Sequence, residues 1–276
     1  MVATANVVQM AGLKLNLVDI SEKDLCMCPK DLVKKITKKT KVVIYTQMNG
    51  RVGQIDKIAK ICKKRNIFLI EDAAHAIGTY IKNKHVGNHG IASSFSFSMP
   101  KLITMGQGGS VITNNLKFAK KLRLFKNFGR KKDGVDIHNY LGYNFKITDL
   151  QSILASSQLK DIKKRMQLKK KIFLRYFQNL KKNKKIKILK MNNYETPWSV
   201  DIYAKNTKKL KKKLESKNIL TRYVYPPLNS QRIYKQIKGL PISNDYCKNG
   251  LWLPSSLDIK MTQIDKISSM INKFYK

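Results

Sequence analysis

The stretch from Phe68 to Asn114 constrains the fold of this chain more than any other. It opens on an apolar run ending in two acids, Phe68-Leu69-Ile70-Glu71-Asp72, which reads as a buried strand. A small-residue turn containing His75 follows, and then a hairpin-like stretch. A second apolar strand, Ala92 to Phe97, leads through a proline to a lone lysine, Lys101, and a glycine-rich turn at Gly106 to Gly109. An acid closing one strand and a lysine just past another, near the same sheet edge, suit a pyridoxal phosphate site. There the acid keeps the pyridine nitrogen protonated, and the lysine carries the cofactor as a Schiff base.

The flanking segments set the architecture. Lys41 to Tyr45 and Ile67 to Ile70 are short continuous apolar runs, the pattern of parallel strands buried on both faces. Between them Ile55, Ile58, Ala59 and Cys62 fall at helical spacing, so the local order is strand, helix, strand. Leu15 to Asp19 and Ser110 to Thr113 are further strand candidates, and the alternation predicts an α/β layered domain. Leu116 to Phe128 reads as a basic amphipathic helix. Thr148 with Gln151 three residues on is a capping-box pattern, opening a long helical stretch toward Leu180. Lys181 to Lys187 (KKNKKIK) reads as a charged junction. Beyond it come a strand near Thr196 to Ala204, a helix at Thr207 to Ser216, a strand at Thr221 to Tyr225 and a closing helix at Thr262 to Phe274. The expected division is a larger domain over 1–165 and a small α+β domain over 166–276.

Charge invites a different class. The formal net charge is +39, from 56 lysines and arginines against 17 acids, and dense lysine attracts phosphate polymers. Yet only eight of those residues are arginine, the side chain whose planar fork grips phosphate and reads bases. Lysine spread over most of the chain reads as solvated helix faces, and no specific nucleic-acid partner is expected. No run approaches the apolar length of a membrane helix, and the first residues lack a basic-then-apolar leader pattern. A cytoplasmic protein without a membrane partner is the expectation. The four cysteines (Cys26, Cys28, Cys62, Cys247) have neither disulfide-framework nor zinc-ribbon spacing and read as reduced thiols. No metal site is expected.

Several motifs carry a family resemblance in order along nearly the whole chain: Asn49-Gly50 ahead of a helix, EDAAHAIG at Glu71 to Gly78 and SFSFSMPK at Ser94 to Lys101. After them come GQGG at Gly106 to Gly109, LGYN at Leu141 to Asn144 and a late Leu253-Pro254. Singly each is commonplace. Together they resemble the DegT/DnrJ/EryC1/StrS aminotransferases, pyridoxal phosphate enzymes that aminate keto sugars attached to nucleotides. The resemblance implies a fold type I transferase, with a three-layer α/β large domain and the small C-terminal domain. It also implies amino transfer, with glutamate as donor and a nucleotide-linked keto sugar as acceptor, feeding polysaccharide or amino-sugar synthesis.

The site residues follow by position. Lys101 is expected to carry pyridoxal 5′-phosphate and, once freed, to move the proton between substrate and cofactor carbons. As one surface lysine among many it would be unremarked, but the apolar strand before it and Leu102-Ile103 after it argue for partial burial. Asp72 is expected on the pyridinium nitrogen, its alternative being a helix N-cap. His75 resembles the position beside the ring and its hydroxyl, and a structural role stays open. Ser96, five residues before Lys101, stands where the family places a hydroxyl on the cofactor phosphate, or is a strand serine bonded to backbone. Asn144 resembles the asparagine that reaches the phosphate from a partner subunit, which implies a homodimer. Lys146 replaces the arginine usual in that motif, keeping charge but losing the fork. Arg222 and Tyr223 fall near substrate-facing positions.

The resemblance opens inside the large domain. Met1 to Asn6 resembles its interior, and Met1 stands where an aromatic often stacks on the cofactor ring. A preceding segment would carry a Gly-Thr turn at a helix N-terminus that cradles the phosphate, so the large domain is expected to lack its N-terminal part. An inactive remnant or one part of a split enzyme is the alternative reading. The family's sugar dehydratase branch replaces the lysine, which Lys101 disfavours.

Overall fold

In the computed structural model, which describes residues 1–132 and 134–276, two four-stranded sheets carry the fold. Helices α1 (Val2–Met10) and α2 (Pro29–Lys35) precede β1 (Val42–Thr46). Helix α3 (Ile55–Lys64) then connects to β2 (Phe68–Asp72). Asp56 in its first turn and Lys63 and Lys64 in its last oppose the helix dipole, and Ile55, Ile58 and Cys62 face the sheet. The hairpin β3 (Tyr80–Ile81) and β4 (Lys84–His85) turns on Lys82 and Asn83, both at positive φ as a tight two-residue turn requires. Strands β5 (Ala92–Ser96) and β6 (Gly109–Ile112) complete the first sheet, whose order is β1-β2-β5-β6.

The first three strands are parallel, so their carboxyl ends share one edge. The register pairs Thr46 with Asp72 and Asp72 with Ser94, and the two-residue period puts Ser96 on that same face. Strand β6 returns antiparallel to β5. Burial in β1 and β2 alternates rather than running continuous: Val43, Tyr45, Leu69 and Glu71 are buried, whereas Ile44, Ile70 and Asp72 are half-buried. One face packs on α3, and the other holds the polar edge.

Helices α4 (Leu116–Lys126), α5 (Asp149–Lys160) and α6 (Ile162–Leu180) follow. The capping box at Thr148 and Gln151 is formed with both bonds. The single long helix expected there breaks at Asp161, whose ψ of 10° leaves the helical region. Leu15 to Asp19, expected as a strand, pairs with no ladder. Asp19 serves instead as an acceptor for the start of α8 (Pro241–Asn249), taking Ile242 and Ser243 N–H groups at 2.9 Å each.

The second sheet runs β7 (Ile186–Lys187), β8 (Val200–Ala204), β10 (Gly250–Leu253) and β9 (Arg222–Tyr223), all antiparallel. Helices α7 (Thr207–Glu215) and α9 (Met261–Phe274) join α6 around one core with Ile202, Leu210, Leu214, Leu251, Ile264 and Ile271. By alternation the other face of this sheet carries Asp201, Trp252 and Arg222, which are cross-strand neighbours.

That second face is joined to the turn after β1. Asp201 Oδ1 accepts from Arg51 Nη2 at 2.7 Å and Asn49 Nδ2 at 2.6 Å, and its other oxygen accepts from the Tyr246 hydroxyl. Glu195 accepts from the Val52 N–H at 2.8 Å, and Thr196 bonds Thr79 and Gly78. Gly50 has φ 80° and lies so close that a Cβ there would sit 1.9 Å from the Thr196 carbonyl oxygen. Removing the charge of Asp201 strands a buried guanidinium, so Asp201→Asn should cost about 3 kcal/mol in urea unfolding. A loss under about 0.5 kcal/mol, the range of a surface substitution, would contradict this account of the joint.

Candidate active site

The parallel edge and the second sheet bring together Asp72, His75, Lys101 and Trp198. Asp72 ends β2; its Oδ2 accepts from the Thr4 hydroxyl of α1 at 2.5 Å and its Oδ1 from the Ala74 N–H at 3.2 Å. A strand-end carboxylate turned back on its own chain satisfies the N–H of the following turn. One oxygen also reaches a neighbouring helix. The adjacent Glu71 is a different kind of acid. It is fully buried and accepts the N–H groups of Gly87, His89 and Gly90 and the Gln47 amide. Burial works against its charge, and the bonds from His89, Gly87 and Gly90 outweigh burial to hold its pKa below the usual carboxylate value. Glu71 shapes the loop; Asp72 faces the site.

Lys101 sits in a tight turn past β5, its N–H donating to Ser98 O at 3.0 Å. Helix α5 grips this turn: Gln158 accepts from the Thr104 N–H at 3.1 Å and donates to the Thr104 carbonyl at 2.7 Å, and Gln151 donates to Gln107 O. Among the described residues the Lys101 amine has no ion pair and no hydrogen bond; it lies 4.8 Å from the centroid of the Trp198 ring. Burial lowers its pKa to about 8, against the opposing pull of Asp72. Such an amine is about half neutral near pH 8, where an ordinary lysine is almost wholly charged, and so supplies a nucleophile more readily.

His75 stacks on Trp198 with centroids 4.0 Å apart and planes 13° from parallel. Its Nδ1 accepts from the Asn49 N–H at 3.4 Å, which leaves the proton on Nε2. Nε2 is buried and has no partner among the described residues. Burial first, then the charges of Lys101 and the Met1 amino group, lower the His75 pKa to about 3, so it is a neutral donor.

The other expected positions separate. Ser96 lies on the Asp72 face, and its hydroxyl exchanges bonds with Ser98, at 3.2 Å to Oγ and 3.4 Å from N–H. Asn144 is exposed, its backbone bridging Asn127, and among the described residues no contact joins it to Lys101. Lys146 lies over the Phe128 ring at 5.0 Å. Arg222 stacks over Tyr225 at 5.2 Å and Trp252 at 5.6 Å, and Trp252 meets Trp198 edge-on at 5.2 Å. Tyr223, one residue on, points to the opposite face, where Lys211 of α7 approaches its ring. Sequence reading missed Trp198, although it is one of only two tryptophans and follows a proline where β8 begins. A cavity of about 280 Å³ beside Tyr203 and Tyr246 shares none of the Lys101 group. No cluster of metal-ligating side chains occurs among the described residues.

A buried donor without a partner, an unpaired amine of lowered pKa and a strand-end carboxylate fit pyridoxal 5′-phosphate, which supplies an electron sink and carries the amino group in transfer. Comparison with known proteins agrees. GDP-perosamine synthase of Escherichia coli O157:H7 is 30% identical over 99% of this chain and 76% of its own length. The UDP-4-amino-4,6-dideoxy-N-acetyl-beta-L-altrosamine transaminase of Helicobacter pylori is 29% identical over 100% of the chain and 76% of that protein. Among solved structures, Helicobacter pylori PseC, an aminotransferase involved in pseudaminic acid biosynthesis, superposes with a TM-score of 0.94 at 27% identity, covering 100% of this chain and 77% of that one. Residues 1–272 match the DegT/DnrJ/EryC1/StrS aminotransferase family, whose members depend on pyridoxal phosphate, and this chain belongs to that family.

Proposed function

We propose that this chain transfers an amino group from glutamate to a nucleotide-linked keto sugar, with pyridoxal phosphate held by Lys101. The unpaired Lys101 amine beside Asp72 and the orphaned His75 Nε2–H is the observation that carries the reading. Relatives named for amino-sugar synthesis support the acceptor class. In this reading Asp72 holds the proton on the ring nitrogen, neutral His75 donates to the ring hydroxyl, and Ser96 takes the phosphate. Lys101 would hold the cofactor through its amine and would move the proton at the reacting carbon. Arg222 faces the substrate; Tyr223, on the helix side of its sheet, packs against α7 instead.

The reading also includes a cytoplasmic protein, in keeping with the lack, among the described residues, of any helix long and apolar enough to cross a membrane. Its domains divide at about 165. Separate apolar cores over Cys26 to Phe95 and Ile172 to Tyr275 support that boundary. A homodimer belongs to it as well. The segment carrying Asn144 presents Leu141 at 82%, Phe145 at 62% and Leu150 at 77% exposure, an apolar surface suited to a second copy. There Asn144 would reach the partner's phosphate site.

Titrating the purified chain with pyridoxal phosphate should give a saturable visible band that glutamate bleaches. Lys101→Ala should abolish the band and cut amino transfer at least about 10³-fold. A band that persists in the variant would overturn the assignment. Because Lys101 loses its proton near pH 8, the rate of band formation should rise about tenfold per pH unit up to that point and then level. His75, neutral throughout, should add no second limb between about pH 5 and 9. Leu150→Asp should shift the chain toward monomer in sedimentation, and an unchanged oligomer would exclude this face as the dimer contact.

A further inference from the structure

Trp198 touches more of the Lys101 group than any residue singled out in the sequence. One ring stacks on His75, lies under the Lys101 amine and meets Trp252 edge-on. Its orientation is fixed from several directions. Nε1 donates to the Pro100 carbonyl at 2.7 Å, immediately before Lys101. Its N–H donates to Asn49 O at 3.4 Å, and its own carbonyl accepts from Lys169 Nζ of α6 at 2.9 Å. Turning the indole would break its bond to the lysine turn.

We propose that Trp198 is a positioning residue that docks the Lys101 ammonium on its indole face whenever that amine is not bonded to cofactor, and holds the His75 ring beside it. This rests on the aminotransferase reading of Lys101 and deepens it. A cation within about 6 Å of a tryptophan centroid is attracted by the ring quadrupole, more strongly where water is thinned. Packing alone would be served by any bulky apolar side chain. Only an electron-rich face attracts the ammonium.

The charges around the amine come from several elements. Asp72 on β2 favours the ammonium. His75 is neutral, with the Met1 amino group just ahead of α1 acting on it. Lys169 of α6 lies beyond the Trp198 carbonyl, and Arg222 of β9 lies beyond Trp252. Burial opposes the charge, and the indole face offsets part of that. Weakening the face should therefore let Lys101 deprotonate at lower pH.

Fluorinated tryptophans installed at 198 alone keep the indole framework and weaken its quadrupole stepwise. Acetylation of Lys101 by acetic anhydride, followed by mass spectrometry against pH without cofactor, reads the midpoint directly. It should fall stepwise, by about 0.5–1 unit from tryptophan to the tetrafluoro analogue. A midpoint that stays constant across the series would overturn the proposal. Protection of Lys101 by pyridoxal phosphate in the same assay tests the attachment reading separately: failure to protect would sink that reading while leaving the midpoint series interpretable.

Discussion

The buried carboxylate of Asp201 joins the two halves of the molecule. It sits on the inner face of the second sheet and accepts from Arg51 and Asn49, both in the turn that leaves β1. An ion pair this deep adds little to stability over an apolar contact of equal size, yet it is intolerant of losing one member. Its effect is geometric. Asn49, held at φ 58° in the left-handed region, also accepts from the Ser199 N–H at 2.7 Å and donates its own N–H to His75. The same residue thus holds the chain entering β8 and the tautomer of a site histidine.

From that joint the site follows by short steps. Ser199 and Trp198 are adjacent, so fixing one fixes the other. Trp198 then spans from the second sheet to the lysine turn of the first, with His75 on its ring and Pro100 on its nitrogen. The parallel edge contributes Asp72 and Ser96, and helix α5 clamps the lysine turn from outside through Gln158. Neither sheet alone contains the constellation. Burial lowers the pKa of Lys169 as far as that of Lys101, to about 8. The Lys169 amine, however, is spent on the Trp198 and Ser255 carbonyls, whereas among the described residues the Lys101 amine has no hydrogen bond and lies between a carboxylate and an indole.

Much of this was legible beforehand. The strand-helix-strand order at β1, α3 and β2, the capping box at Thr148 and the closing helix are local patterns, and each formed where periodicity put it. Asp72 and Lys101 could be singled out from a strand end and a turn, and His75 from the family resemblance; the fold brings the three near one another. What stayed hidden depends on contacts distant in sequence. Trp198 lies 97 positions beyond Lys101 in the chain and has no local pattern that ties it to a lysine. Asp19 ends an apolar run that reads as a strand, but its carboxylate caps a helix more than 200 residues away. Arg222 and Tyr223 looked equivalent until the pairing of Arg222 with Trp252 showed that they face opposite ways. Strand β10 was missed because four residues between a helix and a proline are too few to show a period.

The most direct test is to fix bound pyridoxal phosphate with borohydride and map the modified peptide. Reduction converts the carbon–nitrogen double bond to a stable secondary amine, so the attachment point is read from the mass of one peptide. If Lys101 is the amine set apart by its surroundings, the label should fall on Lys101 stoichiometrically, and the exposed lysines should stay bare at equimolar cofactor. Label scattered over surface lysines, or concentrated on another one such as Lys169, would contradict the assignment of this site.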